Sequence, residues 1–218
     1  MKTINLSERN SVINQYLAET RDAAYQRNRL LFRNNMRRIG WLMAYEISKT
    51  LRYKARDVCT PLGTAKVNVP ADDVVIATVL RAGLPFHEGF LDVFDHAGNA
   101  FVSAYRIYTN REHTEVGIKT EYIAVPDLNG KTLIITDPML ATGGSMAAGY
   151  EAITRDGVPS NINIACVIAT HEGLDVVSKA VPDSTAVWCA AIDGGMNEHK
   201  YIVPGFGDAG DLAFGTKL

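Results

Sequence analysis

The sequence predicts an α/β protein in which a mostly parallel sheet is covered by helices on both faces. Strand-length apolar runs recur along the chain, and they are continuous rather than alternating with polar residues, as in strands buried on both sides. Strand-like and helix-like segments then alternate, which is the order of a parallel sheet with crossover helices. A third observation marks a ligand site on that framework. A carboxylate and a small-residue turn, residues 137–145, join one of the apolar runs to a helix.

The elements follow in chain order. Residues 7–51 read as helical: they contain no proline and only Gly40, and Leu30, Leu31, Ile39, Leu42, Met43 and Ile47 recur at helical spacing. Arg27, Arg29, Arg33, Arg37 and Arg38 make this stretch basic. They read as a solvated helix face, with the alternative that one or two reach an anionic ligand or an allosteric nucleotide. Pro61-Leu62-Gly63 breaks the pattern. Residues 73–80 are a β-branched run bounded by Pro70 and Gly83, and 101–108, 132–136, 163–169 and 185–192 are four further strands. Asp127-Leu128-Asn129-Gly130 is a turn, since Asn-Gly accepts positive φ. The polar stretch 110–115, between extended flanks, reads as the tip of an exposed, mobile β-arm.

The 218 residues, 47% of them apolar, suit one domain with a real core, and no linker, internal repeat or low-complexity tract divides the chain. A formal charge of −2 argues against a nucleic-acid surface and against an anionic membrane. No apolar stretch approaches the roughly 20 residues of a membrane helix, and the N-terminus lacks a signal-peptide core. Cys166 and Cys189 lie in apolar runs and read as buried free thiols; with Cys59 the count is odd, which suits the cytoplasm.

The chemistry concentrates in Asp137-Pro138-Met139-Leu140-Ala141-Thr142-Gly143-Gly144-Ser145. Glycines there let an anion approach backbone N–H groups, Thr142 and Ser145 offer hydroxyl donors, and the following helix contributes its N-terminal partial charge. Such a turn suits a phosphate monoester. Asp137 repels phosphate and is better placed to accept bonds from sugar hydroxyls. The segment lacks the Gly-x-Ser-x-Gly of a hydrolase elbow and the Gly-Lys-Ser/Thr of a P-loop. Leu80-Arg81-Ala82-Gly83 closes the first buried strand, where an arginine fork and free amides can hold an oxyanion. From Asp193 to Asp211 the chain carries Gly194, Gly195, Gly205, Gly207, Gly210 and Pro204, which argues against regular structure. Gly207-Asp208-Ala209 can present backbone donors and acceptors to a flat heterocycle. His199 reads as structural, and the five histidines show no metal-ligand spacing.

The nonamer from Asp137 resembles the phosphoribosyl diphosphate (PRPP) motif of type I phosphoribosyltransferases, with Pro138 where that family usually has a second acid. Its form, and the C-terminal run from Asn197 through Tyr201, Ile202, Pro204, Gly205 and Gly207 to Asp211, are similar to the uracil phosphoribosyltransferase branch. The resemblance covers about residue 77 to the end. It implies a type I fold with a five-stranded parallel sheet, and a small hood built from the N-terminal part, about 1–60, and the C-terminal segment, about 193–218. It implies that uracil and PRPP give uridine monophosphate (UMP) and pyrophosphate in pyrimidine salvage. PRPP would be bound by Arg81, Arg106, residues 137–145 and Asp208, and uracil by Ile202, Gly207, Asp208 and Ala209, with Arg81, Asp137 and Asp208 catalytic. Mg²⁺ would arrive on PRPP rather than in a protein cage, since no carboxylate cage is evident. Dimers or tetramers, and GTP activation in some members, are further implications. So is a non-proline cis bond between Arg81 and Ala82. Leu212 departs from the family's usual Lys or Arg. Two other readings remain: a phosphoribosyltransferase for a purine or orotate, and a PRPP- or nucleotide-sensing regulator that kept the fold without catalysis. A branched side chain at Gly143 is expected to block the phosphate and spare the fold.

Overall fold

The computed structural model describes residues 1–108 and 116–217, with side chains described outside 104–120. Strand β1 (Lys2–Asn5) leads through a short 3-10 turn to helix α1 (Val12–Arg21), and α2 (Arg29–Ser48) follows. Strands β2 (Tyr53–Thr60) and β3 (Gly63–Pro70) form a hairpin. Then come β4 (Val74–Leu80), α3 (Leu84–Leu91), β5 (Gly98–Tyr108), β6 (Val116–Ala124), β7 (Thr132–Thr136), β8 (Met139–Leu140) and α4 (Gly144–Ile153). The chain closes with β9 (Asn161–Thr170), α5 (His171–Ala180), β10 (Ala186–Asp193), β11 (Gly195–Met196), β12 (Ile202–Val203) and α6 (Ala209–Phe214).

The main sheet has the order β1-β10-β9-β7-β4-β5-β6, with β8 beside β9. All its pairings are parallel except β5 with β6. The five sequence-predicted strands are β4, β5, β7, β9 and β10. The sheet is wider than five strands because β1 pairs in parallel with β10 at one edge and β6 folds back on β5 at the other. Successive side chains of each central strand enter opposite cores. Ile76, Ile134, Val167 and Trp188 pack with Phe32, Ile39 and Met43 of α2 and with Phe86 and Phe90 of α3. Val75, Leu133, Cys166 and Val187 pack with Met146 and Ile153 of α4 and with Leu174 and Val177 of α5. This double burial is why the strands read as continuous apolar runs.

Two expectations are corrected. The stretch 7–51 is not helical throughout, because short polar side chains cap backbone groups inside it and divide it into α1 and α2. Ser11 accepts from the Ile13 N–H, Asp22 from those of Ala24 and Tyr25, and Asn28 from those of Leu30 and Leu31. The C-terminal run is less irregular than its glycines suggest: β11 pairs with β12, and Asp208 caps α6. The tip of the proposed arm, 110–115, lies outside the described residues, while its flanks β5 and β6 pair antiparallel. The β2–β3 hairpin, not anticipated from the sequence, exposes all of β2 and nearly all of β3, with Pro61-Leu62 at its turn. Among the described residues no helix is long and apolar enough to cross a membrane.

Candidate active site

The carboxyl ends of β4 and β7 and the C-terminal segment enclose a cleft of about 770 Å³. Arg81, Asp137, Met139, Ala141, Ser145, Asp208 and Ala209 line it, so residues more than 120 positions apart in sequence meet in one site. Ligands of open parallel sheets bind at this end of the strands.

The turn after β7 leads into a helix start that no side chain caps. Gly143, at φ +77°, precedes α4, whose N-terminus has no side-chain cap. A helix start without a capping side chain keeps donors available to a ligand. The turn is held from behind by α5. The Thr170 hydroxyl donates to the Ala141 carbonyl at 2.7 Å and accepts from the Gly173 N–H at 2.9 Å. A Cβ at Gly143 would stand 2.6 Å from the Gly173 carbonyl oxygen and 2.9 Å from Val176 Cβ. A side chain at 143 would therefore drive into α5. The expectation that a branched residue there spares the fold is corrected. The Pro138 carbonyl accepts from the Val167 and Ile168 N–H groups, and Leu140 is buried in the core, so these two brace the turn.

Asp137 is buried at the floor of the cleft, where its carboxylate accepts from the Met139 N–H at 3.2 Å. Burial pushes its pKa from 3.8 up to about 7, against the smaller opposing effect of that hydrogen bond. Arg81 is turned toward the C-terminal segment. Its Nη2 donates to Asp211 Oδ1 at 2.8 Å and to the Gly215 carbonyl at 2.7 Å, while its buried Nε has no partner. The non-proline cis bond lies between Leu80 and Arg81, one bond before the position expected, where the chain leaves β4. Asp208 accepts from the Asp211 N–H at 2.9 Å and so fixes the start of α6 beside Arg81.

Arg106 sits on β5 opposite Ile118; its side chain lies outside those described. Ile202 is buried in the core on the α2 side of the sheet, and neither it nor Gly207, at φ +94°, lines the cleft. Sequence reasoning missed Ser103, Lys200, Tyr201, Gly210 and Lys217 as cleft residues, and Thr170 as the brace of the turn. Thr170 carried a signal, a hydroxyl residue between an apolar strand and a helix; Lys200, Tyr201 and Gly210 carried only their place in the glycine-rich run, and Ser103 and Lys217 carried none. His199, read as structural, also lines the cleft. Of the five basic-stretch arginines, Arg33 donates to the Ala213 carbonyl, Arg37 forms a two-pronged pair with Asp92, and Arg38 lies over Tyr16. Among the described residues no group of three or more His, Cys, Asp or Glu side chains could hold a metal ion. The oxygen donors facing the cleft, Asp137 and Asp208, are of the kind Mg²⁺ accepts.

Comparison with known proteins gives the same family from independent directions. A family model described as uracil phosphoribosyltransferase matches residues 7–216. The uracil phosphoribosyltransferase of Porphyromonas gingivalis is 53% identical over 218 residues, all of both chains. That of Methanothermobacter thermautotrophicus is 40% identical over 186 residues, 84% of this chain and 83% of the relative. Among solved structures, the AQ2163 protein of Aquifex aeolicus superposes with a TM-score of 0.85 at 28% identity, over 99% of each chain. With the parallel sheet, the uncapped turn before α4 and the C-terminal segment meeting in one cleft, these matches place the chain in the uracil phosphoribosyltransferase family.

Proposed function

We propose that this chain transfers the phosphoribosyl group of PRPP to uracil, releasing UMP and pyrophosphate. The observation that carries the reading is the single cleft shared by Arg81, Asp137, Ser145, Asp208 and Ala209. In this reading the turn 141–145 and the start of α4 hold the 5′-phosphate, with Pro138, Met139 and Leu140 setting the turn's path. Asp137, once ionised, accepts from the ribose hydroxyls. A ring nitrogen of uracil forms the new bond to the anomeric carbon, the bond to pyrophosphate breaks, and the proton of that nitrogen leaves to water or a cleft carboxylate. The amides after Arg81, with Arg81 and Arg106, receive the departing charge. Asp208 and Ala209 meet the base, with Gly207 and Ile202 shaping that segment. The protein acts through placement and charge stabilisation. Mg²⁺, carried on PRPP, would neutralise charge on the leaving group.

The same proposal covers a homodimer or homotetramer, activation by GTP, a cytoplasmic setting, a role in pyrimidine salvage, and one functional domain over residues 1–218 with a hood at its two ends. The Phe32–Phe206 ring contact at 5.8 Å, which packs the C-terminal segment on α2, supports the hood. Tyr53, Val58, Leu62 and Val67, exposed on a hairpin with neither face covered, support self-association. The test is incubation with uracil, PRPP and Mg²⁺, with and without GTP, following UMP and pyrophosphate. Equimolar appearance of both is expected. PRPP binding with no product would support the sensing regulator instead.

A further inference from the structure

The C-terminal segment is anchored at its root by a contact among residues that do not line the cleft. Arg21, the last residue of α1, forms a two-pronged pair with Asp193, the last residue of β10, at 2.9 and 2.7 Å. The Arg21 guanidinium also donates to the Gly205 carbonyl at 3.0 Å, and the Gly205 N–H donates to the same Asp193 carboxylate at 3.1 Å. Four hydrogen bonds thus tie a helix end, a strand end and a turn. Asp193 is 8% exposed, so its charge is matched within the protein rather than by bulk water. Gly205, at φ +53°, cannot be replaced without conflict, since a Cβ there would lie 2.1 Å from the Ile202 carbonyl oxygen.

Beyond Gly205 the chain is fixed again almost at once. Phe206 is buried against Phe32, and Asp208 starts α6. Gly207 is therefore the one residue between two held points, and the directions of the Gly207, Asp208 and Ala209 backbone groups follow from where Gly205 is pinned. We infer that Arg21 and Asp193 are positioning residues for base recognition: together they aim the backbone that reads the heterocycle, without touching it. This inference rests on the proposed base site at 207–209.

The test uses the full chain with Arg21→Lys, which keeps the charge but loses the fork, and Asp193→Asn, which keeps the shape but loses the carboxylate. KM for uracil is expected to rise about tenfold in both, with KM for PRPP changed by less than about twofold. Amide exchange should quicken within 202–209 and stay as in the parent elsewhere. Unchanged uracil KM with unchanged exchange would overturn the inference, as would a parallel rise of both KM values with loss of protection across the sheet. Loss of fold in both variants would also overturn it, because the pair would then be holding the sheet together. If the parent protein makes no UMP from uracil, the base-site reading fails by itself. The exchange measurement then decides separately whether Arg21 and Asp193 govern this segment.

Discussion

At the scale of single residues, the proposed role of Asp137 joins stability to activity. Its carboxyl has an ordinary pKa of 3.8 unfolded and about 7 folded, because burial disfavours the charged form. Between those values the folded protein binds more protons than the unfolded chain. Its stability contribution is complete below pH 3.8 and is lost as pH rises through 7, amounting to about 4 kcal/mol for a shift of this size. Asp137→Asn should therefore flatten the pH dependence of the denaturation midpoint from pH 4 to 7 and raise that midpoint at pH 8. The same variant should lose the rise in kcat/KM for PRPP that the parent shows through pH 7, and lose activity on the order of a hundredfold. A parent protein with a flat stability profile in that window would contradict the burial argument. Gly143 gives a second prediction. With φ +77° and the Gly173 carbonyl 2.6 Å from a built Cβ, Gly143→Ala should lower stability by about 1–3 kcal/mol in urea titration, with substrate absent. The residues of the turn proposed to hold phosphate were legible because an anion demands glycines, hydroxyls and a helix start in one short run. The direction in which Gly143 lacks room was not, because it depends on α5, which the chain reaches only 30 residues later.

At the scale of elements, α5 braces the turn that α4 opens. Thr170 joins them through one hydroxyl that both accepts and donates. Thr170→Val keeps the shape and removes both bonds. It should cost about 1–2 kcal/mol in denaturation midpoint and raise KM for PRPP more than KM for uracil. Equal effects on both substrates would mean that Thr170 serves the helix and not the turn. The five central strands were readable because burial on both faces leaves a continuous apolar signal. The edges were not: β1 is four residues long with Ile4 its one apolar residue, and the β2–β3 hairpin buries nothing that would create a pattern. The division of 7–51 was missed because no glycine or proline marks it. The work is done by Ser11, Asp22 and Asn28, which occur as readily on an exposed helix face.

At the scale of the whole molecule, the sheet brings together groups that the chain keeps apart. Arg81 reaches Asp211 and Gly215 across 130 and 134 positions, and Arg21 reaches Asp193 across 172. Such pairings leave no trace in local sequence, which is why the cleft could be named from its motifs but its supports could not. The base is read mainly by backbone in this account, so selectivity follows from fixed donor and acceptor directions. Uracil presents a ring N–H between two carbonyls, and cytosine replaces one carbonyl with an amine. A mismatch leaves buried groups unpaired, at about 1–3 kcal/mol each. The most direct measurement is kcat/KM for uracil, 5-fluorouracil, cytosine and hypoxanthine with PRPP and Mg²⁺ held constant. UMP from uracil, acceptance of 5-fluorouracil, whose hydrogen-bonding edge is unchanged, and efficiency on cytosine lower by at least about tenfold are expected. Comparable efficiency on cytosine, or turnover of hypoxanthine alone, would contradict the proposed base site.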